Sequence, residues 1–173
     1  MGIKKAKDRL LLAKKSARMK KFTLAAPALA VALTFLPSPS SAAGSTPMAT
    51  VSQAVRAFNV GDYKSWAAAC ASPAQIIDDF PPHVWSGATA CSDWVAALET
   101  TAKKQKLTNI TVAFGAPTTS VVTGDVAYMV FPASLHYNAN DKPVRKTGAV
   151  MTIALKKTSA GWLMTGWAWA DGK

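Results

Sequence analysis

The chain has 173 residues, half of them hydrophobic, 17% charged and 9% aromatic, with only two cysteines. That is room for one domain, with neither the composition of a disordered tail nor a repeat array. The formal charge of +11 suggests nucleic acid until it is located. Residues 1–42 carry nine of the twenty Lys and Arg and one of the nine acids, which leaves 43–173 at only +3. A basic nucleic-acid-binding domain is excluded on that count.

The basicity belongs to a leader. After Lys20 and Lys21 comes a 15-residue apolar stretch, FTLAAPALAVALTFL over 22–36, followed by Pro37, Ser38, Pro39, Ser40, Ser41, Ala42 and Ala43. A basic head, an apolar core and a small-residue exit make the pattern of a bacterial secretory signal over 1–42, with cleavage expected after Ala42. Met19 opens a compact signal by itself and is an alternative start. The competing reading is a retained anchor, but 15 residues with Pro27 inside fall short of the roughly 20 needed to span a bilayer. The expectation is a periplasmic or secreted domain over 43–173, with no stable membrane span after cleavage.

Export decides how Cys70 and Cys91 are read. In an oxidising compartment two cysteines pair more often than they stay free. Closing a loop of about 20 residues removes roughly 3 kcal/mol of unfolded-state entropy. Two Cys and two His scattered over 70, 83, 91 and 136 give no metal-ligand spacing, so no metal is expected.

Along the mature chain, Thr46 and Pro47 form a cap-then-proline start. Val51, Ala54, Val55 and Phe58 follow at helical spacing, predicting a helix over about 47–59. Gly61 ends it and Asp62 caps a second short helix carrying Tyr63, Trp66, Ala67 and Cys70 on one face. Ser72-Pro73 repeats the start signal and predicts a short helix reaching Phe80, stopped by Pro81-Pro82. Residues 83–87 read as a short extended piece. Ala90–Gln105 reads as a helix with Cys91, Trp94, Val95, Leu98 and Ala102 as its apolar stripe.

After Leu107 the period changes from 3.6 to 2. Strands are predicted over 109–114, 118–123, 126–137, 144–157 and 162–170, with turns at Gly124-Asp125, Asn138–Lys142 and Thr158–Gly161. The first two form one long strand kinked at Gly115-Ala116-Pro117. In 126–137 one face holds Val126, Tyr128, Val130, Pro132, Ser134 and His136, and the other holds Ala127, Met129, Phe131, Ala133, Leu135 and Tyr137. Neither face is plainly wet, which points to helices on one side and a second subunit or a ligand on the other. Trp167 and Trp169 share a face, with Leu163 and Thr165 expected beside them. The expected class is α+β: a curved antiparallel sheet wrapped around N-terminal helices.

The segments Phe58-Asn59-Val60-Gly61-Asp62-Tyr63, Ile76-Ile77-Asp78-Asp79-Phe80, His83-Val84-Trp85, Thr123-Gly124-Asp125-Val126-Ala127-Tyr128 and Gly161-Trp162-Leu163-Met164-Thr165-Gly166-Trp167-Ala168-Trp169 carry a resemblance over 47–170. In this order they resemble the SnoaL-like branch of the NTF2-like superfamily, in particular its exported bacterial members. The resemblance implies a cone-shaped domain with a pocket between sheet and helices, often dimeric through the sheet. It does not imply one chemistry, because the fold hosts isomerases, dehydratases, cyclases and catalytically silent binders.

Asp78 and Asp79 lead the candidate residues, since a pocket carboxylate with a raised pKa can abstract a carbon-bound proton. His83 could join one of them in a dehydratase-type dyad, with Tyr63, Tyr128 or His136 as an oxyanion donor. No Asp or Glu lies in 126–137 or 144–157, so a second pocket acid of the isomerase type is missing from the sheet. Trp85, Tyr128, Trp167 and Trp169 are the candidate ligand-binding aromatics. Lys103, Lys104, Lys106, Lys142, Arg145 and Lys146 read as ordinary charges of helix and hairpin ends. No phosphate loop, dinucleotide fingerprint or G-x-S-x-G occurs, so no cofactor is expected. Three functions remain open: an exported binder of a small apolar or aromatic molecule, a cofactor-free lyase or isomerase, and a protein-interaction domain.

Overall fold

The structure is a computed structural model and describes residues 43–172; the expected leader over 1–42 and its cleavage site lie outside the described residues. Three helices and seven strands follow in order: α1 (Pro47–Asn59), α2 (Tyr63–Ala68), β1 (Cys70–Ile77), β2 (Val84–Gly87), α3 (Ala90–Gln105), β3 (Leu107–Phe114), β4 (Thr119–Thr123), β5 (Val126–Ala139), β6 (Lys142–Thr158) and β7 (Gly161–Ala170). Thr46 caps α1 by accepting a hydrogen bond from the Ala49 amide, and Asp62 caps α2 by accepting from Ser65. A two-residue turn with Asn140 and Asp141 both at positive φ joins β5 to β6. Such turns match the twist of the strands that they connect.

The sheet corrects the expected architecture. It is mixed rather than antiparallel, because β1 runs parallel to β7. It is also open rather than curled into a cone: the strands follow the path β2-β1-β7-β6-β5-β3, with β4 pairing β5 beside β3. β2 and β3 end that path unpaired to each other, and register breaks interrupt the long ladders of β5–β6 and β6–β7.

Residues 70–77 are the source of the difference. The helix expected after Ser72-Pro73 is strand β1, in which buried Ala74 and Ile76 alternate with exposed Gln75 and Ile77. Pro73 lies between the paired positions Cys70 and Gln75, where the ladder with β7 is interrupted and no amide donor is needed. A strand that enters beside β7 from a distant part of the sequence needs no hairpin. Its direction is therefore free to be parallel.

All three helices pack on one face of the sheet. The core joins Val51, Ala54 and Phe58 of α1, Trp66 of α2 and Trp94 of α3 to Met129, Phe131, Met151, Ile153, Leu155, Met164 and Trp167 of the strands. Thr50 ties α1 to the start of β7: its buried hydroxyl donates to the Trp162 carbonyl at 2.9 Å and accepts from the Gly44 amide at 3.0 Å. The Cys70–Cys91 disulfide is present and fastens the start of β1 to the first turn of α3.

The two register breaks decide which side chains face the helices. On β6, Ala149 pairs with Ala133 and Lys146 with Leu135, so Thr147 and Gly148 of β6 oppose Ser134 alone of β5. On β7, Gly166 pairs with Ala154 and Met164 with Leu155, so one extra residue sits in β7. Each bulge reverses the alternation beyond it. Trp167 and Trp169 therefore share their face with Trp162 and Met164, which corrects the expectation of Leu163 and Thr165.

Candidate functional site

A cavity of about 380 Å³ lies between the helices and the sheet. Its walls are apolar and aromatic: Val51, Ala54, Val55 and Phe58 from α1, Trp66 from α2, Trp94 and Leu98 from α3, and Ile110, Val112, Phe114, Met151, Ile153, Met164, Trp167 and Trp169 from the strands. Its polar lining is Asp78, Asp79, Thr101, Gln105, Tyr137 and Lys146. Predominantly apolar walls with a few polar groups are the usual composition of a small-molecule cavity.

Asp78 follows β1 directly and is fixed from both ends. Its amide donates to the His83 carbonyl at 3.0 Å, across a turn through Pro81-Pro82. One carboxyl oxygen accepts from the Asp79 amide at 2.7 Å and the other from the Trp94 indole N–H at 2.8 Å. Burial raises its pKa to about 7; the hydrogen bonds from Trp94 and the Asp79 amide oppose that rise without cancelling it, and neighbouring Asp79 adds to it. Near neutral pH this carboxyl can both donate and accept a proton.

Trp94 holds that carboxyl from the centre of an aromatic cluster. Its ring lies 4.5 Å from Trp66, 5.0 Å from Trp167 and 6.1 Å from both Phe58 and Phe80. Trp167 stands edge-on to Trp66 and Trp94. Its indole N–H is the one buried side-chain polar atom without a hydrogen-bond partner among the described residues. An unsatisfied donor of this kind in a cavity wall calls for an explanation in terms of ligand, water or function.

A second polar group lies around Lys146, whose ammonium is 2.6 Å from one carboxylate oxygen of Asp171 and 3.7 Å from Asp79. The other Asp171 oxygen accepts from the Trp169 indole N–H at 2.9 Å. The Asp171 hydrogen bond is the main cause that raises the Lys146 pKa. Asp171 is exposed; the desolvation it does undergo raises its pKa, but the hydrogen bonds from Lys146 and Trp169 outweigh it and hold the carboxyl below the usual carboxylate range.

Of the residues singled out from the sequence, Asp78, Asp79, Trp167 and Trp169 line this cavity; His83, Tyr63, Trp85 and Tyr128 are not among its lining. His83 is exposed at φ 72°, and its Nδ1 lies 3.1 Å from the backbone carbonyl of Asp78. No Asp–His side-chain dyad forms there. Tyr63 packs on Phe58 at 5.5 Å, and burial keeps its phenol protonated by raising its pKa. Trp85 is buried against Phe80 at 5.1 Å. Tyr128 is exposed, while Ala127 and Met129 on either side of it are buried.

Tyr137 and Lys146 are cavity residues that the sequence reading passed over. Tyr137 continues the Met129-Phe131-Ala133-Leu135 alternation, so its place was legible. Lys146 was not, because strict alternation puts it with Val144 and Val150. The extra residue beside Gly148, at φ 79°, turns it to the cavity side. Gly148 is the one local signal that could have revealed this.

No family model matches the sequence, and no curated protein is significantly similar to it. Solved structures show likeness in the fold. An NTF2-like superfamily protein from Salmonella enterica serovar Typhimurium is 16% identical with a TM-score of 0.58, over 71% of this chain and 86% of that one. An NTF2-like protein with a cystatin-like fold from Novosphingobium aromaticivorans is 12% identical with a TM-score of 0.56, over 70% and 76%. A protein of unknown function from Mycobacterium tuberculosis is 14% identical with a TM-score of 0.58, over 71% and 68%. At such identities the likeness establishes shape and not chemistry: the chain has the NTF2-like fold.

Proposed function

We propose that this protein is an exported binder of a small apolar or aromatic molecule, and that it belongs to the SnoaL-like branch of NTF2-like proteins. The observation that carries the binding reading is the 380 Å³ cavity walled by Phe58, Trp66, Trp94, Trp167 and Trp169. In this reading residues 1–42 are a cleaved secretory signal and 43–173 the mature periplasmic or secreted domain. The sequence pattern of the leader and the Cys70–Cys91 pairing, which suits an oxidising compartment, support that localisation. Homodimerisation through the sheet belongs to the same reading. Val121, Val126, Tyr128 and Val150 on β4, β5 and β6 are exposed apolar residues in its support.

The test is native mass spectrometry of protein recovered from the periplasm, followed by titration with 2-naphthalenemethanol. Mature protein with a retained small molecule, or saturable binding that Ala54→Trp abolishes by filling the cavity, is the expected result. A bare protein that binds no apolar probe overturns the reading.

One observation favours a second reading, a cofactor-free lyase or isomerase. Asp78 has the position and the raised pKa of a general base or acid in a cavity. Asp78 would take a proton from an acidified carbon and return it elsewhere on the same molecule or to a leaving group. With His83 and Tyr63 away from the lining, Tyr137 is the cavity phenol available as a donor. Turnover of an identified ligand, lost in Asp78→Asn with binding retained, would separate this reading from simple binding.

A further inference from the structure

We infer that Lys146 and Trp169 form a carboxylate-binding site at the polar end of the cavity, and that Asp171 occupies it as an internal stand-in for the acid group of an apolar ligand. The inference rests on the binding reading above and specifies its ligand class: a monocarboxylic acid with an apolar or aromatic body.

The structure already shows this pair gripping a carboxylate. One oxygen of Asp171 takes the Lys146 ammonium at 2.6 Å and the other takes the Trp169 indole N–H at 2.9 Å. A charged donor combined with a neutral one, spread over both oxygens, fixes a carboxylate in orientation as well as position. Lys146 and Trp169 both line the apolar cavity, whereas Asp171 is not among its lining. A carboxylate held by the same two donors from the cavity side would leave its apolar body among the aromatic walls. The donor pair comes from the two bulged strands, and the β6 bulge is what brings Lys146 to this side.

The exchange is electrostatically balanced. Asp79 lies 3.7 Å from Lys146 and would repel an added anion. Replacing one carboxylate by another leaves the charge at the site unchanged, so Asp79 opposes the ligand no more than it opposes Asp171. Asp171 is also a displaceable occupant. It lies beyond the end of β7, and the Lys146 and Asp171 side chains are 41% and 34% exposed. A solvent-screened pair of that exposure is weak. As a tethered competitor it nevertheless has an effective concentration that a free ligand must exceed.

The experiment compares 2-naphthoate with 2-naphthalenemethanol by isothermal titration calorimetry at pH 7, on wild type and on Asp171→Ala, Trp169→Phe and Lys146→Met. Removing the stand-in in Asp171→Ala is expected to tighten naphthoate by about tenfold, leaving the alcohol within about twofold. In the Asp171→Ala background, Lys146→Met abolishes the preference for the acid. Trp169→Phe, which leaves the charge unaltered, reduces that preference by about fivefold through loss of one hydrogen bond. If the alcohol binds but naphthoate binds no better in Asp171→Ala, the carboxylate site is refuted and the cavity reading stands. If Asp171→Ala tightens naphthoate and Trp169→Phe changes nothing, the gain is charge alone and the paired-donor site is refuted. If neither probe binds any variant, both the site and the cavity reading fall.

Discussion

The hairpin of β5 and β6 has two halves that obey different rules. From Val126 to Ala133, opposite Ala149 to Lys156, pairing is regular and alternation is strict. Ala127, Met129, Phe131 and Ala133 face the helices with Ala149, Met151, Ile153 and Leu155, and all eight are buried. Beyond the bulge, from Leu135 to Ala139 opposite Lys142 to Lys146, the half-buried Leu135, Tyr137 and Lys146 join Met151 and Ile153 of the regular half in lining the cavity. One half builds core by obeying the period of two and lends two apolar side chains to the cavity wall; the other adds a charged side chain to that wall by breaking the period once.

Substitutions in the regular half should have the largest effect on stability. Phe131 is 2% exposed and stacks on Phe114 at 5.1 Å. Phe131→Ala should cost about 3–5 kcal/mol in urea unfolding, through lost burial and the void left behind. Leu135→Ala, at a half-buried position of the site half, should cost distinctly less. Equal costs would remove the distinction between core and site.

Asp78 tests the polar end by its pH dependence. An acid whose folded pKa lies above its unfolded value keeps its proton in the native state after the unfolded chain has lost it. With a folded value of about 7 and an unfolded one of about 4, stability should decline as pH rises through that window and level off above it. The contribution is on the order of 1.4 kcal/mol for each unit of difference. Asp78→Asn should flatten that slope, as read from unfolding midpoints at pH 4 to 8. A wild type whose stability rises across the same window would contradict the buried carboxyl.

Smaller effects separate the two halves further. Gly148 at φ 79° has space for a methyl group, since an added Cβ would meet its nearest neighbour, Gly172, at 3.6 Å. Gly148→Ala should therefore cost only the left-handed strain of about 1–2 kcal/mol, measured as a lowered Tm. Smallest of all is Lys146→Met, which should change stability by less than about 1 kcal/mol because its ion pairs are exposed. Its effect belongs to ligand choice, so a large loss of stability there would mean that Lys146 serves the core.

Local chemistry wrote much of the fold into the chain. Thr46-Pro47 and the Val51-Ala54-Val55-Phe58 spacing mark α1 without help from tertiary contacts. Ala90–Gln105 is the helix that its apolar stripe predicts, the turn at Gly124-Asp125 lies where its residue types put it, and the turn expected over Asn138–Lys142 narrows to Asn140-Asp141 within that span. Ser72-Pro73 misleads because a cap-like Ser and a Pro suit a helix start and an interrupted ladder equally well. Only the neighbouring strands β2 and β7 distinguish the two.

Asp78 and Asp79 could be picked from the sequence as acids beside a proline turn, but their separate environments could not. Asp78 owes its raised pKa to burial, and its carboxyl is held by Trp94, sixteen residues away. His83 and Asp78 are close in sequence, yet both of their contacts use the Asp78 backbone, its amide to the His83 carbonyl and its carbonyl to the His83 ring, and none uses the Asp78 carboxyl. Lys146 looked like any hairpin charge until a single extra residue reversed its side.

By itself the sequence determined the α+β composition, the main helices, the hairpin turns and the pairing partners available to Cys70 and Cys91. These follow from periodicities and residue preferences that act over a few neighbours. Tertiary structure decided that the sheet is mixed and open, that the cavity lies between its bulged strands and the helices, and that Lys146 and Trp169 both reach Asp171. Those outcomes depend on register, and register is set by which strand lies alongside.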